Sequence, residues 1–181
     1  DPEIRDDRLS IVGYSLDEEA TLRCHAERSD VIVVQGFTLG SFPFLLGIGV
    51  PIVADLYCPF TLEHLEMTRR SPGSLDTAAD VPRRKTAATE AEWNLAWQND
   101  QLRNADFFIC ASERQRDFWL GMLHAVGRVN PHTYGADPTL RTLIDVVPFG
   151  VPREAPAAAP AGEGPLKGGH PGIRPTDRVL L

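Results

Sequence analysis

The sequence predicts an α/β protein, a Rossmann-like parallel sheet flanked by helices. Four short runs carry the prediction: DVIVVQG (Asp30 to Gly36), PIVADLY (Pro51 to Tyr57), ADFFICAS (Ala105 to Ser112) and IDVVPFG (Ile144 to Gly150). Each is rich in Val, Ile or Phe and too short for a helix of ordinary length. Their hydrophobicity is continuous rather than alternating, which is expected of parallel strands buried on both faces between helices. Each run also breaks off at a small or polar residue. Ligands of such sheets bind beyond the carboxyl ends of the strands, so Gly36, Asp55, Tyr57 and Ser112 fall where recognition or chemistry is expected.

The remaining elements follow in order. After a polar start, Ile11 to Ser15 reads as a short strand. Leu16 to Arg28 reads as a helix with Ser15 as N-cap, its acidic first turn (Asp17, Glu18, Glu19) matching the helix dipole. The strand at Val31 to Val34 comes next. Ser41 begins a short helix that tolerates Pro43 in its first turn, and a turn at Gly47 to Gly49 leads into the strand ending at Ala54. Cys58-Pro59 forces extended or turned backbone, and Thr61 caps a helix running to about Met67. From Arg69 to Lys85 the chain is polar and aperiodic, with Pro72, Gly73 and Pro82; a connection that long reads as a disordered insert or a lid. Thr89 to Glu92 has the form of a capping box, opening a helix with Trp93, Ala96, Trp97 and Leu102 as its core stripe. Ser112 to Gln115 is a second capping box, before a helix that buries Phe118, Trp119, Met122, Leu123 and Val126 and stops at Gly127. Asn130 to Asp137 reads as a loop, and Pro138 as the start of a short helix before the last strand.

At 181 residues the chain can bury a sizeable core. A formal net charge of −7 argues against general nucleic-acid binding, which needs clustered Lys and Arg. The three cysteines (Cys24, Cys58, Cys110) form no C-x-x-C pair and fit a reducing compartment; the five histidines form neither H-x-H nor H-E-x-x-H, so no metal site is expected. The acidic N-terminus lacks the layout of a signal peptide. The longest apolar stretch, Phe42 to Ala54, carries two Pro and two Gly and falls short of a membrane span. Composition changes at Pro152, after which Pro, Ala and Gly dominate up to DRVLL. The expected partition is a Rossmann-like domain over 1–151, incomplete at its start, an interdomain linker over 152–175 and, over 176–181, the first strand of a truncated second domain.

ADFFICASERQRDF and IDVVPFGVP, together with DVIVVQG and PIVADLY in that order, make Leu22 to Pro152 resemble the N-terminal half of a GT-B glycosyltransferase, specifically the group 1 (family four) retaining enzymes. The first two match that family's strand-to-helix segment ending in Ser and its strand into an N-G-V turn. The resemblance implies two Rossmann-like domains across a cleft, this one holding the acceptor and the other the nucleotide sugar. It implies transfer of a sugar to a glycan, lipid-linked or small-molecule acceptor, as in cell-envelope polysaccharide biosynthesis. It also implies no cofactor beyond the nucleotide sugar as substrate, and a cytoplasmic location with peripheral association at the inner face of the membrane. The chain departs from the family pattern at Tyr57 and Gln35, where His is common, and at Phe149, where Asn is usual. The donor-domain residues and the N-terminal Gly-rich loop are missing, so the catalytic residues stay unassigned and the 181 residues alone are expected to be inactive.

Candidate acceptor or cleft residues are Gly36, Phe37, Asp55, Tyr57, Ser112, Arg114 and Arg116. Gly36 serves a turn needing positive φ, a close approach of backbone to ligand, or both. Asp55 either caps a neighbouring amide or accepts from sugar hydroxyls. Tyr57 stacks on or hydrogen-bonds a sugar, or packs on the Cys58-Pro59 loop. Ser112 is first an N-cap, and neither a hydrolase triad nor G-x-S-x-G accompanies it. Arg114 and Arg116 oppose the dipole in a first helical turn, which an anionic ligand there would explain; Glu113 and Asp117 soften the conflict and leave a solvated face as the alternative. Two competing readings stand beside the transferase. One is a non-enzymatic Rossmann-like ligand-binding or interaction module. The other, a phosphoacceptor receiver domain, lacks the acidic pair and the Lys it needs.

Overall fold

The computed structural model describes residues 9–15, 17, 19–70, 81–150, 172–174, 176 and 178. The chain divides into two compact units, Asp1–Pro148 and Phe149–Leu181. The 152–175 linker and the 176–181 strand expected from the sequence fall largely outside the described residues.

The first unit is an α/β fold around one parallel sheet. Its elements are α1 (Glu19–Ala26), β1 (Ile32–Gln35), α2 (Thr38–Ser41), a 3₁₀ turn (Pro43–Gly47), β2 (Ile52–Asp55), α3 (Phe60–Arg70), α4 (Val81–Asn104), β3 (Phe107–Cys110), α5 (Glu113–Ala125), α6 (Pro131–Ala136) and β4 (Ile144–Val146). Strand order is β1-β2-β3-β4, every pairing parallel. All four apolar runs became strands because each supplies β-branched or aromatic residues bounded by turn formers.

Register aligns Val34, Ala54, Phe108 and Ile144 in one row and Gln35, Asp55, Ile109 and Asp145 in the next. Because side chains alternate between faces, the first row buries almost completely while the second stays half-buried or exposed. Val33, on the second face, is 62% exposed. The expected burial of both faces is therefore corrected. A parallel crossover is right-handed in nearly every protein, and a strand order that only moves forward then puts each connection on the same side. Leu39, Leu45, Leu102, Trp119 and Leu123, from the connecting segments, accordingly share one core with the first row.

Several helix limits differ from expectation. Ile11 to Ser15 forms no strand. The first helix begins at Glu19 and ends at Ala26. Ahead of Pro43 lies α2, and Pro43 itself starts the 3₁₀ turn. Phe60, not Thr61, opens α3, where the Leu62 and Glu63 amides donate to the Pro59 carbonyl at 2.9 and 3.2 Å. Thr61 is thereby freed to donate its hydroxyl to Gln98 Oε1 at 3.1 Å. With α3 reaching Arg70 and α4 starting at Val81, the long connection shrinks to 71–80, outside the described residues. Thr89 lies inside α4 rather than capping it: Lys85, Ala87 and Ala88 are good helix formers and Pro82 occupies the tolerant first turn.

The stripe assigned to α4 also turns over. Trp93 is 61% exposed and Trp97 partly so, whereas Asn94, Gln98, Gln101 and Leu102 are buried. The pairs Thr61–Gln98 and His64–Glu90 show α3 and α4 running antiparallel, so α4 is read by a polar helix partner as well as by the sheet. Arg128 closes the far end of α4, donating Nη1 to the carbonyls of Leu102, Arg103 and Ala105 at 3.3, 2.9 and 2.6 Å. Positive φ at Gly127 (81°) stops α5 as expected. Asn130 to Asp137, expected as a loop, holds α6. Asn130 accepts from the His132 and Thr133 amides and Pro131 fills the first position. Pro138 starts only turns.

Candidate functional site

The carboxyl ends of β1 and β2 bring four of the seven candidate residues together. Gly36 leaves β1 with φ of 58°, the left-handed turn its position called for, and a Cβ there would meet nothing within 4 Å. Phe37 follows. Its ring packs on Phe60 with centroids 4.5 Å apart and on Trp97 at 5.5 Å, tying the β1 exit to the start of α3 and to the C-terminal half of α4. About a third of Phe37 and of Tyr57 remains exposed. Aromatic faces left partly wet at a strand end suit stacking on a ring with one apolar face.

Asp55 ends β2, level with Gln35 of β1. Its Oδ2 accepts from Gln35 Nε2 at 3.3 Å and its Oδ1 from the Tyr57 amide at 3.1 Å. The amide cap foreseen as one of its two roles is thus made. Each carboxylate oxygen has a further lone pair, and the carboxylate is only half-buried, so it can still accept from a ligand hydroxyl. Gln35 was singled out in the sequence only as a departure from His; its amide here orients the carboxylate.

Ser112 caps α5, its Oγ accepting from the Gln115 amide at 3.3 Å. The reciprocal half of the expected capping box is not made. Gln115 instead accepts from the Ala111 amide at 2.7 Å and donates Nε2 to the Tyr57 carbonyl at 2.6 Å. One turn on, Trp119 donates Nε1 to the Leu56 carbonyl at 2.8 Å. Two side chains four residues apart on α5 therefore fasten consecutive carbonyls at the β2 exit. Sequence reasoning read Gln115 as part of a cap and Trp119 as apolar filling; the i, i+4 spacing of two donors on one helix face was the available signal. Ser112→Ala is expected to lower stability by about 1 kcal/mol, read as a shift in urea midpoint, with little change in ligand affinity.

The two arginines part company. Arg116 is 8% exposed; its Nε donates to the Ile144 carbonyl at 2.9 Å and its Nη2 to the Thr139 carbonyl. Its guanidinium is committed to backbone, a correction to its placement at the cleft. Arg114 is exposed and is the one of the pair left for an anion at this helix start. A cation the sequence did not flag stands nearby. Arg141 donates to Glu113 at 2.7 Å and to Asp145, contacts that hold its pKa above the ordinary arginine value and pull that of Asp145 down, the latter first through the Val146 amide.

Cys58 borders the site without serving as a nucleophile. Burial, then its hydrogen bond to Glu63 at 3.2 Å, pushes the thiol up to about 11, far from the thiolate that reacts. Among the described residues no cluster of His, Cys, Asp or Glu is arranged to hold a metal ion, and no helix is long and apolar enough to cross a membrane. The arrangement offers one oriented carboxylate, one amide and two aromatic faces on a rigid strand end, which is recognition chemistry for hydroxyl-bearing rings. Comparison of the chain with protein-family models, curated proteins and solved structures returned no match.

Proposed function

We propose that this chain is the acceptor-side domain of a retaining glycosyltransferase of the GT-B type, transferring a sugar from a nucleotide-sugar donor to a glycan, lipid-linked or small-molecule acceptor. The observation that supports the reading is the Gln35–Asp55 pair at the carboxyl end of adjacent parallel strands, with the partly exposed Phe37 and Tyr57 each two residues further along its strand exit. In such an enzyme this half contributes acceptor positioning. Electrostatic stabilisation of the departing diphosphate comes mostly from the donor domain. The reading puts the protein in the cytoplasm, working at the inner face of the membrane when its acceptor is lipid-linked.

The test has two arms. Calorimetry on the 181-residue chain is expected to show no tight binding of nucleotide sugars; micromolar affinity would overturn the assignment to the acceptor side. In the complete enzyme, Asp55→Asn is expected to reduce kcat/KM by about 10- to 100-fold, the loss of a charge-assisted hydrogen bond, with little change in melting temperature. Tyr57→Phe is expected to lower turnover in the same way. One observation favours the non-enzymatic module instead: both Asp55 oxygens already have partners within the chain. That reading is selected if Asp55→Asn melts much lower yet keeps wild-type kinetics.

A further inference from the structure

A cavity of about 180 Å³ lies between α2, the 3₁₀ turn and α4, sharing Trp97 with the Phe37 contact, and takes in none of the strand-end candidates. Its wall is largely apolar, from Leu39, Pro43, Leu46 and the Trp97 indole. Three polar side chains join it, Asp100, Gln101 and Asn104, the last donating Nδ2 to the Asp100 carbonyl at 2.7 Å. Gln101 is 2% exposed, and among the described residues its Nε2 has no hydrogen-bond partner. A buried amide donor left without an acceptor is costly and rare in folded proteins. One water would satisfy it. However, a water takes up about 30 Å³, and much of the remaining volume would leave the apolar wall of Leu39, Pro43, Leu46 and Trp97 against solvent.

We propose that the cavity binds one uncharged, hydroxyl-bearing ring. A hydroxyl accepts from Gln101 Nε2 and donates to the Asp100 carboxylate, which keeps lone pairs free beside its ion pair with Arg103 at 3.2 Å. The ring's apolar face packs on Leu39, Pro43, Leu46 and Trp97. Asp100 on the wall and a net charge of −7 select against anions. Gly40 keeps the cavity in shape, because a Cβ there would sit 3.0 Å from the Trp97 ring and push the indole away. The proposal does not rest on the acceptor-side reading, although its Trp97 wall also packs on Phe37 at 5.5 Å.

The experiment follows the Gln101 side-chain amide and Trp97 indole signals of the 181-residue chain by NMR during titration with methyl β-D-glucopyranoside. Oxane serves as a ring of like size without hydroxyls. Saturable shifts are expected at millimolar glucoside, with oxane weaker. Gln101→Leu is expected to weaken glucoside binding about tenfold, one buried hydrogen bond, while keeping or raising the melting temperature because the orphan donor is gone. Exposed Asp100→Ala is expected to weaken binding without affecting folding, and it carries the test alone if Gln101→Leu fails to fold. Asp55→Asn leaves the shifts unchanged, which separates this site from the strand-end one. No saturable shift, equal binding by the Asp100→Ala variant, or oxane binding as tightly as the glucoside overturns the proposal.

Discussion

Trp119→Ala is expected to cost about 3–5 kcal/mol, the range for deleting a fully buried aromatic side chain, a large share of a domain stability of order 5–15 kcal/mol. Trp119 is wholly inaccessible and sits in the core with Phe108, Leu123 and Ile144. Its removal opens a cavity and also strands the Leu56 carbonyl that its Nε1 satisfies. Trp119→Phe separates the two losses. It keeps most of the ring and forfeits the donor, so about 1–3 kcal/mol is expected. Urea unfolding followed by circular dichroism measures both. Equal, small effects for the two variants would mean that the indole is not packed as described.

Arg116→Met carries the second large effect, about 2–4 kcal/mol, because a buried guanidinium and two carbonyls lose each other's hydrogen bonds. Those carbonyls belong to Ile144 and Thr139, on the approach to β4, so the damage should concentrate at that edge of the sheet. Arg114→Ala, two residues earlier on the exposed side, is expected to stay within about 0.5 kcal/mol of wild type. A thermal-shift series in phosphate distinguishes support from ligand binding. Phosphate should raise the melting temperature of Arg116→Met and of wild type by the same increment. A phosphate effect present in wild type and abolished in Arg116→Met would restore this arginine to an anion site.

The strands were legible because β-branched and aromatic residues gather in short runs bounded by turn formers, although only one face of the sheet is fully buried. The sharp ends of helices with a Gly at left-handed φ were legible for the same local reason, as at Gly127. What failed was inference from composition alone. The segment before Thr89 looked like a loop because it is polar. Helix propensity depends instead on side-chain shape, and Ala, Lys and Arg satisfy it without any apolar stripe. On α4 the spacing of Trp93, Ala96, Trp97 and Leu102 reads as one core stripe, yet the face that packs is set by its antiparallel partner α3. Gln98 goes inside because Thr61 is there to meet it. The Asn130-Pro131 start of α6 was a readable cap-and-proline signal hidden by turn-prone neighbours.

At the site, sequence located the strand ends and with them Gly36, Phe37, Asp55 and Tyr57. It could not say which way a helical side chain turns. Arg114 and Arg116 differ by two positions, about 200° around a helix, and that rotation alone takes one guanidinium to solvent and the other into the interior. The i, i+4 spacing of Gln115 and Trp119 marked two donors on one helix face but not what they hold. Their partners are main-chain carbonyls 58 and 63 residues away, and a carbonyl has no letter in the sequence.

Those two supports bear on how the strand end moves. Both carbonyls after Asp55 are held by α5, the Leu56 amide donates to the Ile109 carbonyl at 2.7 Å, and the Tyr57 amide donates to Asp55. A segment tied on both edges opens only when the helix lifts from the sheet. The Leu56 amide should therefore exchange its hydrogen at nearly the rate of global unfolding rather than by local fraying. On the acceptor-side reading proposed above, a ligand at Asp55 would meet a surface that is already ordered. Its binding energy is then spent on contacts and not on organising backbone.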